Sequence, residues 1–555
     1  MRGIPHLIPY LVISVLLVTL LSLILPFTMD EFSQFSPIIC HYYPYNALNV
    51  FREACGLYDL RIPLPVLNNM HLPLRAFYYV GSVQALIYFP LFLLWKSPLS
   101  ARLLGMIWLI AEASVLSILF PGIRRRWFFF GLIGFFFYFL MHVVDRGPIG
   151  PQFFFAFLSY WLICQWINTL RLRYVVWLVI ITVAGLWLKL SFIWIMVGVA
   201  MVSTSYFLQR WRMVFATPQS TRKFLWQAAV GLLVLALLWY VIFFAQMNDG
   251  VRYYKIMGLE GMLSWKELLQ GEVFSSHSWG ILWNMWHANA LGKWEQILPP
   301  TAQSIAYTLV TILSLPILAL GLMATRRLTI RQIIEPAVFY AAFLVVLSLI
   351  LLSKTAWAIH HIMLAFPFLI LSFASLFDAC RHSMRKMWAG WYVVGCMLLA
   401  VNGIAYATYF RQPIRVGDSF SRQVMHEVLY DHTLSSRYIY VIVDFGMYFY
   451  QGLYGNRDQS VLFILPLNKA EQIAQLKEIA LAQHRKLLFV HQTGWSETNK
   501  ELIASSFDLQ RCSAVPADAV WQILLEKDGS IDSPCHTTHP AVQAPAERSL
   551  STILW

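Results

Sequence analysis

Two adjacent carboxylates, Asp30 and Glu31, close an almost wholly apolar run that extends from about Leu7 to Pro26. A carboxylate is costly in hydrocarbon and readily hydrated just outside it, so the pair is expected at a membrane boundary. There it can act as a general base, taking a proton from an acceptor hydroxyl or amine during displacement at a sugar carbon. An inverting step of that kind needs one base and no covalent enzyme intermediate. The same carboxylates would also serve as a hydrated helix terminus, or as ion-pair partners of Arg52, Arg61 or Arg75.

Further ionisable residues stand at the ends of other apolar runs. Asp145-Arg146-Gly147-Pro148 follows one of them, and its acid can orient an acceptor, bind a metal ion or pair with a neighbouring arginine. Lys189 lies between two apolar segments, and Lys354 precedes His360-His361. A phosphate or pyrophosphate on a polyprenyl carrier needs such cations to stabilise the oxyanion that develops as it leaves. Arg75 and Arg146 extend the set of candidate substrate-binding cations. Lysine can alternatively snorkel to the headgroups. Adjacent histidines on a helix do not share a face, which disfavours a metal site using both. A divalent metal ion is a candidate cofactor with no ligand set identified.

The elements that must position these residues follow from composition. Of 555 residues, 59% are hydrophobic and 12% charged, against about 25% charged in soluble domains. The chain is therefore expected to be a mainly α-helical polytopic membrane protein. The net charge of +13 does not point to nucleic acid, because the basic residues fall in short clusters between apolar segments. These are Arg124-Arg125-Arg126, Arg171 with Arg173, Arg210 to Lys223, Arg326-Arg327 with Arg331, and Arg381 with Arg385-Lys386. By the positive-inside rule they are cytoplasmic, as is the N-terminus with Arg2. About eleven spans are expected, near 7–26, 102–121, 127–143, 152–169, 174–189, 191–208, 225–245, 303–323, 335–353, 360–379 and 389–409. The first is read as an uncleaved anchor, since no small-x-small site precedes Asp30.

Phe77 to Trp95 would break the alternation of charge if it crossed, so it is read as an interfacial or re-entrant helix in the outer leaflet. It belongs to a first outer loop, 27–100, and a second long outer segment covers 246–301. Residues 1–410 form the membrane domain. Residues 411–555 read as a small extracytoplasmic α/β domain with a loose end: strands at Tyr438–Val443 and Lys486–Val490, and a helix between Lys469 and His484. Cys40 with Cys55 and Cys512 with Cys535 are candidate disulfides in an oxidising outer compartment. The spans read as nearly free of ionisable residues, which favours an enzyme working at the outer face over a transporter.

The order of these features resembles the GT-C membrane glycosyltransferases. The nearest types are the dolichyl-phosphate-mannose protein mannosyltransferases and the bacterial aminoarabinose transferases acting on lipid A. The resemblance rests on the acid pair after the first span, His71-Leu72-Pro73-Leu74-Arg75-Ala76-Phe77-Tyr78-Tyr79, and Ser97-Pro98-Leu99-Ser100-Ala101-Arg102-Leu103. It rests also on Gly185-Leu186-Trp187-Leu188-Lys189-Leu190, and on His360-His361-Ile362-Met363-Leu364-Ala365-Phe366-Pro367. Leu72-Pro73-Leu74 stands where that family has an aromatic-rich Pro-Pro-Leu-Tyr run, and Arg146-Gly147-Pro148 replaces its Arg-Pro-Asp order. The resemblance implies Asp30 as catalytic base with Glu31 beside it, and Asp145 at a second acidic site. It implies a polyprenyl-phosphate sugar donor, a lipid, glycan or protein acceptor, and an inner or plasma membrane location. A lipid-linked glycan flippase, an O-antigen type polymerase or ligase, and a non-catalytic scaffold are the alternative readings.

Overall fold

A computed structural model describes residues 8–24, 27–28, 34–35, 37–38, 61–64, 70–73, 75–77, 80–124, 128–129, 132, 142, 147–240, 328–352, 359–379, 419–420, 436–442, 461–463, 470–492, 497–511 and 521–526. Contacts divide the chain into two units. One comprises Met1–Ser22, Tyr78–Gln84 and Arg102–Arg411; the other comprises Leu23–Phe77, Ala85–Ala101 and Gln412–Trp555.

The described residues are mainly helical. In chain order the helices are α1 (Ile8–Ile24), α2 (Val83–Leu94), α3 (Pro98–Leu119), α4 (Ile149–Thr169), α5 (Leu172–Leu188), α6 (Phe192–Val214), α7 (Pro218–Leu238), α8 (Ile330–Leu352) and α9 (Phe366–Ala379). Among the described residues, four stretches are long and apolar enough to cross a membrane: Leu99–Leu119, Phe192–Val214, Pro218–Leu238 and Gln332–Leu352. Burial shows which solvent they suit. On α1 Tyr10, Ser14 and Val18 form a buried stripe, at the i, i+4, i+8 spacing of one helix face. Ile8, Val12, Ile13, Val15 and Leu16 on its other faces are exposed, Leu16 at 63%.

Helix α7 inverts the pattern of a soluble helix. Only 11% of its apolar window is buried, and its buried residues are Gln227 and Gly231. Gln227 accepts from Trp166 Nε1 at 2.8 Å and donates to the Leu170 carbonyl at 3.1 Å. Gly231 lies so close to α5 that a Cβ there would meet Val175 Cγ1 at 2.7 Å. Polar and small residues face the protein while leucines face outward, as is stable where the surroundings are lipid.

The helices of this unit alternate in direction, and side-chain contacts tie their ends together. At one end α4 and α6 begin and α5 stops: Gln152 meets Ser191, and Lys189 meets Gly147. At the other end Asn168 donates to Tyr206 at 2.8 Å, Ser375 donates to Glu335 at 3.1 Å, and the Gly122 amide donates to the Asp378 carboxylate. Arg124, Arg171, Arg173, Arg212, Arg222 and Lys223 belong to that second end. Arg210 lies there too, its guanidinium 4.0 Å from the centre of the Tyr206 ring.

Just inside that second end the packing is aromatic. Phe120 and Tyr160 both approach Phe339 edge-on, at 6.2 and 5.3 Å between ring centres, within the range such pairs prefer. Helix α8 packs on α9 and α6, and α4 packs on α5 and α6.

The second unit holds a five-stranded sheet. Its strands are β1 (Tyr438–Ile442), β2 (Val461–Phe463), β3 (Lys486–Gln492), β4 (Leu509–Arg511) and β5 (Trp521–Glu526), ordered β4-β5-β3-β1-β2. β1 is parallel to β2 and β3, while β5 is antiparallel to β3 and β4. Helices α10 (Ala470–Ala482) and α11 (Glu497–Ser506) supply Ile473, Leu476 and Ile503 to a core with Ile439, Val441, Leu487 and Phe489. The alternate residues Tyr438, Tyr440, Leu488 and Val490 are buried as well. Sheet strands buried on both faces read as continuous apolar runs, which is why β1 and β3 were legible in the sequence. β2, β4, β5 and α11 add to that expectation.

Helix α2 also differs from a span. Twelve residues rise about 18 Å, short of a hydrocarbon core of about 30 Å. Its Tyr88 hydroxyl meets the Ser100 hydroxyl at 2.6 Å, and Ser100 Oγ donates to the Ser97 carbonyl at 2.7 Å. These bonds fix the turn between α2 and α3.

Candidate functional site

Lys189 terminates α5 and opens the turn to α6. Its amide donates to the Gly185 carbonyl at 3.1 Å, and its own carbonyl accepts from the Phe192 amide at 2.9 Å. Its backbone is extended and forms an antiparallel bridge with Val80. The side chain is only 3% exposed, so it does not snorkel to the headgroups. Instead the ammonium donates to the Gly147 carbonyl oxygen at 3.4 Å.

Gly147 and Pro148 form the opposite wall. Gly147 has φ +90°, a left-handed value that favours glycine, and a Cβ there would sit 3.1 Å from the Lys189 ammonium. The Pro148 carbonyl accepts from Gln152 Nε2 at 3.0 Å on the first turn of α4. The other amide atom of Gln152, Oε1, accepts from the Ser191 hydroxyl at 3.5 Å. Gln152 thus ties the 147–148 turn to the 189–191 turn.

His361 completes the group. It lies on the one-turn helix Ile359–Ile362, which runs through a tight turn of buried Met363, Leu364 and Ala365 into α9. The ammonium of Lys189 is within electrostatic reach of its ring. A lysine, a serine and a glutamine therefore meet at the end of the bundle opposite the basic residues, with His361 within electrostatic reach of the lysine. A buried ammonium is stable only where acceptors or an anion face it. With one ammonium already aimed, such a place suits an anion whose charge grows during a reaction.

Of the residues expected from sequence, Lys189 is set against the Gly147-Pro148 turn, and His361 lies within its electrostatic reach. Arg75 lies in a short strand, Arg75–Phe77, and His360 lies in the one-turn helix beside His361. Asp30, Glu31, Asp145, Arg146, Lys354, Cys40, Cys55, Cys512 and Cys535 lie outside the described residues. So do the second long outer segment, 246–301, and the expected spans near 303–323 and 389–409. Among the described residues no three His, Cys, Asp or Glu side chains converge on one point, and Cys164 is a buried free thiol.

The expectation that spans are nearly free of ionisable residues is corrected. Glu112 lies within α3, seven residues and about 10 Å from its nearer end. Its carboxylate is 2.7 Å from His142 Nε2, and both side chains are fully buried. Arg102 is 1% exposed near the start of the same helix. Glu335, with Tyr160, Tyr206 and Gln209, lines a small cavity at the basic end. A lone acid in an apolar run was the available signal for Glu112, but only the fold shows that it turns inward and meets His142.

No family model matches this chain, and no curated protein matches it.

Proposed function

We propose that this protein is an integral membrane glycosyltransferase of GT-C type. It moves a sugar from a polyprenyl-phosphate donor to a lipid, glycan or protein acceptor at the extracytoplasmic face of an inner or plasma membrane. The observation that carries this reading is the buried Lys189 ammonium, set against the Gly147 turn with His361 in reach, at the bundle end remote from the basic residues. By the positive-inside rule that end is extracytoplasmic, where lipid-linked sugars are used.

In this reading Asp30 takes the proton of the acceptor hydroxyl or amine as it attacks the anomeric carbon. The bond from that carbon to the phosphate oxygen breaks in the same displacement, and its electron pair stays on the phosphate. Lys189 and Lys354 stabilise that charge, with His361 as a ring N–H donor and Arg75 and Arg146 as further cations. Glu31 and Asp145 lie beside the acceptor. Helix α2 lies along the outer leaflet and borders the lipid groove, about eleven spans cross, the N-terminus is cytoplasmic and the 411–555 domain is outside. The test is Asp30→Asn and Lys189→Met in membranes supplied with a labelled polyprenyl-phosphate sugar. Undiminished transfer by both variants would sink the reading.

The buried Glu112–His142 pair favours one second reading, a flippase of lipid-linked glycans, because ionisable groups at membrane depth mark transport paths. Reconstituted protein that moves a labelled polyprenyl-phosphate sugar between leaflets without transferring the sugar would select it.

A further inference from the structure

We infer that Glu112 is a positioning residue: it locks His142, and through His142 the turn at Gly147-Pro148 that faces the Lys189 ammonium. This deepens the phosphate-binding reading of Lys189 and rests on it for its functional consequence. The geometric part stands on its own.

His142 is held on three sides. Glu112 Oε1 lies 2.7 Å from its Nε2. Its backbone carbonyl lies against Gly105, two turns into α3, where any side chain would collide with it. Its ring packs on the first turn of α4: a Cβ at Gly150 would meet His142 Cδ2 at 3.0 Å, and Phe153 approaches edge-on at 5.9 Å. Gly150 and Phe153 flank Gln152, the residue that bonds Pro148 and accepts from Ser191. One helical turn, 150–153, therefore carries contacts to His142 on one side and to both walls of the Lys189 site on the other.

Burying an acid with its partner gives little net stability, and apolar replacements of the pair are often neutral. What a buried, fully paired group does supply is a fixed geometry for the residues around it.

The test uses the full-length protein in lipid nanodiscs, with sugar-free polyprenyl phosphate as the probe. Glu112→Leu is expected to weaken binding about tenfold, the loss typical when the support of a ligand-holding group is removed. Glu112→Gln, which keeps an acceptor for the ring N–H, is expected to stay within about threefold. Combined with Lys189→Met, Glu112→Leu should add almost nothing, since residues acting through one contact are not additive. Hydrogen exchange over 142–152 should rise in Glu112→Leu and not in Glu112→Gln. If Glu112→Leu does not fold, Glu112→Leu with His142→Phe removes the tie without leaving a buried charge, and the same tenfold loss and raised exchange are expected. Wild-type affinity in folded Glu112→Leu, or in that double variant, overturns the inference while leaving the Lys189 reading intact. Wild-type affinity in Lys189→Met instead sinks the phosphate reading. The exchange measurement then decides the geometric part alone, and unchanged exchange overturns it.

Discussion

Lys189 and the His360-His361 pair stood out in the sequence because ionisable groups at the ends of apolar runs can face a substrate at the membrane boundary. Their surroundings did not. Gln152 lies 39 residues from Ser191, and Gly147 lies 42 from Lys189, so no local pattern announces that these turns meet. Two predictions belong at this scale. Asp30→Asn should lower sugar transfer about a hundredfold or more, the usual contribution of a general base, while leaving polyprenyl-phosphate binding near wild type. Initial-rate and binding assays on the same preparation separate the two. Lys189→Met should do the reverse first, weakening lipid-phosphate binding about tenfold or more, since a charge-assisted contact to phosphate is lost. Isothermal titration or a competition assay with the sugar-free lipid reads it directly.

The helices show what hydropathy can and cannot locate. Sequence reading starts α7 near 225, at the first long apolar run, yet the helix begins at Pro218. Thr217 and Ser220 form a capping box there, with Ser220 N donating to Thr217 Oγ1 at 3.1 Å and Thr217 N donating to Ser220 Oγ at 3.2 Å. Helix α8 begins at Ile330 rather than 335 for a similar reason, since the Thr329 amide donates to Gln332 Oε1 at 3.0 Å. Cap chemistry draws polar residues into a helix that an apolar window leaves out. The inward-facing Gln227 was equally invisible, because its value lies in the Trp166 and Leu170 groups that it satisfies. Gln227→Leu should therefore destabilise the bundle by about 1 kcal/mol despite raising hydrophobicity, the size found for interhelical hydrogen bonds in membranes. Reversible unfolding in mixed micelles checks this, and a stability gain would contradict it.

At the scale of the whole molecule, the alternation of helices gathers the basic residues at one end and the Lys189 group at the other. This leads to a sidedness prediction. In a background with the native cysteines replaced, a thiol placed at Thr217 should react with a membrane-impermeant reagent only from the cytoplasmic side. One placed at Glu478, exposed on α10, should react only from outside. Labelling of both from the same side would reverse the assignment of the 411–555 domain.

The sequence by itself determined that this is a helical, membrane-type chain with an α/β tail, because composition, run length and period depend on each segment and its solvent. It also marked Lys189 and the His360-His361 pair, because ionisable groups at the ends of apolar runs can face a substrate at the membrane boundary. The tertiary structure alone sets Lys189 against Gly147 beside the Gln152–Ser191 contact, with His361 in electrostatic reach, and turns Glu112 to His142 inside the bundle. Such pairings join residues tens of positions apart, and they depend on which helix faces pack together rather than on anything local to either partner.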